Sequence, residues 1–85
     1  MKEFKYVITD PEGVHARPAG MLAKAVKEFE SDIKLSKDGK AVKCKSVIAL
    51  MSLGVKAGEE VTLTFEGADE DAAYEAVSKF MQENL

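Results

Sequence analysis

The 85 residues predict an α+β fold in which three helices cover one face of a four-stranded antiparallel sheet. Two kinds of apolar periodicity support this prediction. Apolar side chains alternate with polar ones in the strand-like segments and recur every three or four residues in the helix-like segments. These segments follow one another in the order β-α-β-β-α-β-α. An antiparallel sheet with helices on one face buries every apolar stripe and leaves its other face polar.

The first strand and helix are separated by a turn. Phe4, Tyr6 and Ile8 alternate with other residues as in a strand with one buried face, and the sequence Asp-Pro-Glu-Gly at 10–13 predicts the turn. Pro18 fits the first turn of a helix, where a missing N–H costs nothing. The predicted inner face of this helix consists of Met21, Leu22, Ala25, Val26 and Phe29.

The middle of the chain predicts a hairpin followed by a short helix. Ile33 and Leu35 begin a strand, and Asp38-Gly39 supplies the positive φ angles of a type I′ turn. Ser46 is a favourable N-cap for a helix over 47–53, which Gly54 ends. Inward positions of the strand after the hairpin fall on Val42 and Cys44.

The last strand and helix complete the predicted core. Val61, Leu63 and Phe65 alternate with polar residues, and Asp69 is the expected N-cap of the final helix. The inner face of that helix consists of Ala73, Ala76, Val77, Phe80 and Met81. The solvent face of the sheet is predicted to carry Lys5, Lys43, Lys45, Thr62 and Thr64.

Composition narrows the class of protein. Residues 1–85 are enough for a single small domain with a thin core, which argues against an enzyme with a deep cleft. Twelve basic and fifteen acidic residues give a net charge of −3, the wrong sign for a dedicated nucleic-acid binder. No segment has the pattern of a signal peptide or the length of a membrane span. We therefore expect a soluble, cytoplasmic monomer that neither inserts into membranes nor binds nucleic acid.

The only histidine lies where the predicted turn meets the first helix, in the segment Gly-Val-His-Ala-Arg-Pro-Ala at 13–19. Free N–H groups and the helix dipole favour an anion there, and the same field favours the neutral, nucleophilic form of His15. The guanidinium of Arg17 suits phosphate oxygens. The sequence therefore predicts that His15 accepts a phosphoryl group.

The surrounding sequence lacks the parts of an enzyme that uses ATP. It has no glycine-rich nucleotide loop, and no acidic pair is adjacent to His15 in the chain to hold Mg²⁺. We expect no metal and no cofactor. A partner must then bring the phosphoryl group, and the protein is a phosphotransfer intermediate rather than an independent catalyst.

The chain resembles the HPr family, the histidine-containing phosphocarriers of the bacterial phosphoenolpyruvate-dependent sugar phosphotransferase system. The resemblance extends over almost the whole chain and is strongest at 13–19, 45–46, 50–55 and 67–70. It implies an open-faced β-sandwich in which phosphorylated enzyme I phosphorylates His15. His15 would then pass the group to enzyme IIA domains, and Arg17 would stabilise the phosphate.

The resemblance also implies regulation at Ser46. This residue matches the site that HPr kinase/phosphorylase modifies in Gram-positive relatives, where it serves carbon catabolite control. A phosphate at a helix N-terminus is compatible with the fold, and its charge would repel an acidic partner. The family pattern assigns partner docking to Val47, Ile48 and Met51. We expect further partner contacts on the first helix, at Gly20, Lys24 and Lys27.

The sequence allows two other functions besides that of a phosphocarrier. The protein could be a regulatory adaptor that acts through phosphorylated Ser46 and docks onto a catabolite-control transcription regulator, although a pure adaptor would not need His15. It could also be a hydrolase that uses Cys44 and His15, which requires the two side chains to be adjacent.

Overall fold

The computed structural model describes residues 1–85 and contains the predicted seven elements in the predicted order. None of the three helices combines the length and apolar character needed to cross a membrane. The elements are β1 (Lys2–Val7), α1 (Ala16–Val26), β2 (Asp32–Lys37), β3 (Lys40–Lys43), α2 (Val47–Ser52), β4 (Glu60–Glu66) and α3 (Glu70–Asn84).

The four strands form one antiparallel sheet in the order β1-β4-β2-β3. The central strand β4 has the alternating burial that its sequence predicts, with Val61, Leu63 and Phe65 fully buried. At the β2–β3 hairpin, Asp38 and Gly39 both have positive φ, +52° and +82°, as a type I′ turn requires. This hairpin is therefore as the sequence predicts.

The helices pack on one face of the sheet and enclose the core. Apolar side chains from every helix join those of β4 and β2 in one cluster of 17 buried residues. The members of this cluster that the helices contribute are Ala19, Leu22 and Val26 of α1, Leu50 of α2, and Ala73, Val77 and Met81 of α3, and Val14 joins them from just before α1. The predicted α+β fold, with three helices on one face of a four-stranded antiparallel sheet, is confirmed.

Three residues on the predicted inner helix faces are placed differently. Helix α1 ends at Val26, so Phe29 lies beyond it and packs half-buried against the core. Met21 is 42% exposed, and Ala76 of α3 is also exposed. Met21 and Ala76 thus lie at the solvent-facing edge of the apolar stripe of each long helix.

Asp69 occupies the N-cap position of α3, but its side chain does not cap the helix. The carboxylate instead accepts hydrogen bonds from the backbone N–H groups of Glu30 (2.8 Å) and Ser31 (2.9 Å) and from the Ser31 hydroxyl. The prediction of a side-chain cap was wrong because the loop before β2 offers this carboxylate three donors. The start of α3 is thereby tied to the segment that joins α1 to β2.

Candidate functional site

The segment before α1 is seated firmly on the loop that follows α2. A β-turn closes with a hydrogen bond from Gly13 N to Asp10 O (2.9 Å), and Val14 N then donates to Val55 O (3.0 Å). Gly13 has φ +69°, and a Cβ placed on it would lie 2.2 Å from Val55 O. Only glycine allows this approach, because any side chain would overlap the carbonyl. The tight contact sets the point at which the chain enters α1.

His15 is the N-cap residue of α1, with an extended backbone and a carbonyl that accepts from Ala19 N (3.0 Å). Its imidazole makes no capping hydrogen bond, and the first turn contains no acidic residue. Pro18 has no N–H, so the free donors of this turn are those of Ala16 and Arg17. The helix start is therefore positively polarised and open to an anion, as the sequence predicts.

Two carboxylates lie beside the imidazole. Nε2 of His15 is 3.3 Å from Glu12 Oε2 and 3.9 Å from Asp10 Oδ1. Asp10 Oδ1 also accepts a hydrogen bond from Glu12 N (2.9 Å), which holds the two acidic residues together in the turn. About one third of the His15 side chain is exposed. The ring is thus held at one nitrogen and accessible to solvent.

Sequence reasoning missed these carboxylates because neither acidic residue is adjacent to His15 in the chain. The predicted turn at 10–13 is the signal that could have found them, because a turn reverses the chain. The reversal brings the residues three and five positions before His15 back to its ring. Both carboxylates contact His15, and no group of three potential metal ligands occurs in the structure.

His15 opens onto a surface hollow that Arg17 shares. Arg17 is exposed and has no acidic partner within the 4.0 Å limit of an ion pair, so its guanidinium donors are free. Asn84, near the end of α3, also lines this hollow and is a residue that sequence reasoning did not identify. The residues that line the hollow are Asp10, Glu12, His15, Arg17, Pro18, Met21 and Asn84. The structure therefore brings the predicted phosphoryl acceptor and its predicted stabilising cation into one site.

Other predicted site residues lie on the outer surfaces of α1 and α2. Lys24 and Lys27 are exposed, and a Cβ on Gly20 would meet nothing within 4 Å. On α2, Ile48 is 82% and Met51 44% exposed. Val47 is half-buried and packs against the core. Two of the three apolar α2 residues predicted for docking are therefore available to a partner.

Ser46 caps α2 as predicted. Its hydroxyl oxygen accepts from Ala49 N at 3.2 Å, and the residue is exposed. The structural explanation of this serine is confirmed, since the side chain satisfies one of the otherwise free N–H groups of the helix. The hydroxyl is also accessible from solvent.

Cys44 is fully buried, as predicted, and is not part of the hollow around His15. Burial raises the pKa of its thiol to about 12, with a smaller contribution from the charge of Asp32. The thiol is therefore protonated at neutral pH and is not a nucleophile. This placement argues against the Cys44–His15 hydrolase.

A second hollow lies at the β2–β3 hairpin, away from His15. Its cation, Lys37, already donates to Glu59 Oε1 (2.9 Å) and to Gly54 O (3.2 Å). It contains neither histidine nor arginine, and is lined by Ser36, Lys37, Asp38, Gly39, Glu59, Glu60 and Thr62. Of these two hollows, the one at the start of α1 brings a histidine and an arginine together.

Comparison with known proteins agrees with this geometry. The family model described as the phosphorylation site of the PTS HPr component matches residues 2–83. The phosphocarrier protein HPr of Mycoplasma genitalium is 42% identical over 85 residues, which cover 99% of this chain and 97% of the relative.

Solved structures show the same similarity. The histidine-containing phosphocarrier protein of a mycoplasma superimposes with a TM-score of 0.93 at 36% identity, covering 96% of this chain and 93% of that one. Crh of Bacillus subtilis, a catabolite repression protein described as an intertwined dimer with a swapped domain, is 41% identical with a TM-score of 0.79. That comparison covers 100% of this chain and 98% of Crh.

Proposed function

Because the chain belongs to the HPr family of phosphocarrier proteins of the phosphotransferase system, we propose that His15 accepts a phosphoryl group from phosphorylated enzyme I and passes it to IIA domains. The observation that carries the proposal is the open start of α1. There His15 and Arg17 share one hollow, and Arg17 has no acidic partner. An exposed site of this kind can be reached by several larger partners in turn, as a carrier requires.

The accepting atom that we propose is Nδ1. The carboxylate of Glu12 lies 3.3 Å from Nε2, so a phosphoryl group on that nitrogen would be placed against a like charge. Nδ1 is free of such a neighbour. In the transfer, the Nδ1 lone pair attacks phosphorus, the bond from phosphorus to the donor breaks, and its electron pair leaves with the donor. Arg17 and the free N–H groups of α1 stabilise the charge on the phosphoryl oxygens.

Incubation with enzyme I and labelled phosphoenolpyruvate tests the acceptor. We expect the wild-type protein to take up acid-labile phosphate and His15→Gln to take up none. Circular dichroism shows whether the variant is folded. Acid-labile label on folded His15→Gln would refute the assignment of His15.

Arg17 is tested by the rate of labelling in the same assay. Arg17→Ala should be labelled about tenfold more slowly, because a hydrogen bond between charged groups is lost from the phosphorylated state. Lys79→Ala, which removes an equal charge from the exposed side of α3, is the matched control and should react at the wild-type rate. Equal rates for the two variants would show that Arg17 does not act on the phosphate.

We further propose that Ser46 is a regulatory phosphorylation site for an HPr kinase/phosphorylase. Support comes from its exposed hydroxyl and its place at the start of α2, which packs against α1. Gly20, Lys24, Lys27 and the α2 residues Val47, Ile48 and Met51 would contact partners. We expect Ser46→Asp to slow phosphorylation by enzyme I, and an unchanged rate together with unchanged binding to a regulator would refute regulation at this residue.

The similarity to Crh supports a second candidate function, that of a regulatory adaptor for a transcription regulator in carbon catabolite control. The two candidates differ in their need for His15. If the wild-type protein took no phosphate from enzyme I but bound a regulator when Ser46 was phosphorylated, the adaptor would be the better description. Size-exclusion chromatography of the same sample separates the expected monomer from a dimer.

A further inference from the structure

The carboxylate of Glu12 makes no hydrogen bond or ion pair that holds the fold together apart from its contact with His15. The side chain of Glu12 is 73% exposed, and its one ionic partner is the imidazole at 3.3 Å. Asp10 is fixed by Glu12 N and lies 3.9 Å from the same ring nitrogen. Among the residues lining the hollow, the only other charged group is Arg17, and α3 contributes the uncharged Asn84. Nε2 therefore lies in a negative local environment, while the helix start favours anions.

We propose that Glu12, supported by Asp10, is a positioning residue that keeps a proton on Nε2 while Nδ1 carries the phosphoryl group. This role rests on the proposed function, since it concerns the phosphorylated form of His15. A carboxylate stabilises the N–H and the positive charge of the phosphorylated ring more strongly than a neutral group would. It also fixes the ring so that Nδ1 is the nitrogen left for phosphate.

The proton on Nε2 affects how easily the phosphoryl group leaves. When the nucleophile of an acceptor protein, or water, attacks phosphorus, the Nδ1–P bond breaks and its electron pair returns to Nδ1. If Nε2 still carries its proton, the leaving group is neutral imidazole. If the proton has been lost, the leaving group is the much more basic imidazolate anion. The carboxylates therefore keep the phosphorylated protein ready to transfer, at some cost to its lifetime in water.

The test compares Glu12→Gln with Glu75→Gln, which removes the same charge from an exposed position on α3. Each protein is phosphorylated with enzyme I and phosphoenolpyruvate, separated from the donor and followed by ³¹P NMR at neutral pH. We expect Glu12→Gln to keep its phosphate about two- to fivefold longer, a size typical of a partly exposed charge pair. Glu75→Gln should match the wild type, and the difference should shrink in high salt.

A second readout separates this role from a merely structural one. ¹⁵N NMR of the phosphorylated ring should show Nε2 protonated over a smaller part of the pH range in Glu12→Gln, and Glu12→Asp should restore part of that range. Equal lifetimes and equal Nε2 protonation in the wild type and both Gln variants would overturn the inference while leaving the proposed function intact. A wild-type protein that took no phosphate on His15 would overturn both.

Discussion

The starts of α1 and α3 use the same position of a helix in opposite ways. At each start the N-cap side chain makes no hydrogen bond to its own helix. Asp69, before α3, is fully engaged by Glu30 and Ser31 of a neighbouring loop. His15, before α1, has carboxylates at one nitrogen only and opens onto a surface hollow. We call the start of α3 the closed start, because hydrogen bonds within the protein occupy its N-cap side chain. We call the start of α1 the open start, because its N-cap side chain faces a surface hollow that a ligand can enter.

This difference shows where the chain uses a helix end for stability and where it leaves one for chemistry. The closed start joins α3 to the loop between α1 and β2, and Gly67 packs so tightly there that a Cβ would lie 2.7 Å from Ser31 Cα. The open start is equally well fixed, but by backbone contacts of Gly13 and Val14 rather than by the N-cap side chain. The imidazole is therefore held beside carboxylates at Nε2, while no carboxylate lies beside Nδ1.

The largest expected effect is at the backbone contact that supports the open start. Gly13→Ala should lower the free energy of unfolding by about 3 kcal/mol or more, since the new Cβ would overlap Val55 O and φ is positive. Urea denaturation measures the change. Gly20→Ala is the matched control: its Cβ meets nothing, and alanine should raise stability by about 0.5–1 kcal/mol. Equal stabilities would show that the contact at Gly13 does not hold the loop.

The closed start should respond next most strongly. Asp69→Ala leaves the donors of Glu30 and Ser31 without their acceptor, and we expect the Tm to fall by about 5–10 °C. Labelling of His15 by enzyme I should be unchanged below the melting transition. Asp71→Ala, which removes a neighbouring exposed carboxylate, should shift the Tm far less. A large loss of labelling in folded Asp69→Ala would mean that the two helix starts are coupled.

The start of α2 provides a third case, in which the N-cap side chain does cap its helix. Ser46→Ala should lower the free energy of unfolding by about 1 kcal/mol, because Ala49 N loses its acceptor. Ser78→Ala, within α3, removes a hydroxyl whose hydrogen bond to Glu75 O is exposed, and should cost little or nothing. Both are measured by urea denaturation, and an unchanged stability of Ser46→Ala would argue against the cap.

The smallest expected effect is that of acid on the closed start, where low pH should reduce the stability that the Asp69 carboxylate contributes. The Ser31 hydroxyl, followed by the N–H of Glu30, holds the pKa of Asp69 below its usual range. A lowered pKa in the folded state stabilises the protein above the ordinary aspartate range, and this contribution is lost as pH falls through the lowered value. The Tm gap between wild type and Asp69→Ala should therefore be constant near neutral pH and narrow as the pH falls through and below the ordinary aspartate range. A gap that widened in acid would contradict the assignment.

A similar acid-sensitive contact lies at the loop before β4. Its carboxylate, Glu59, accepts from Lys37 Nζ and from Lys56 N, and the Lys37 hydrogen bond is the main cause of its lowered pKa. The sign is the same as for Asp69, so acid weakens both contacts. Comparison of the wild type with Asp69→Ala isolates the part that belongs to α3, because Glu59 is present in both proteins.

The sequence by itself determined the element order, the buried face of the sheet and the place of the only histidine at the start of the first helix. Alternation in β4 placed Val61, Leu63 and Phe65 in the core, and Asp38-Gly39 located the hairpin. The strand and the hairpin depend on local periodicity and on the backbone preferences of single residues, and both can be read from residues that are close together in the chain. A histidine at a turn–helix junction is a local feature of the same kind.

Only the tertiary structure decided what surrounds that histidine and where the other polar groups bond. It brought Asn84 to the hollow onto which His15 opens and the Asp69 carboxylate to Ser31, across separations of 69 and 38 residues. Hydrogen bonds and ion pairs act over a few ångströms and depend on the final position of each atom. Periodicity predicts which face a side chain occupies, whereas its partner across the fold is known only once the elements have packed.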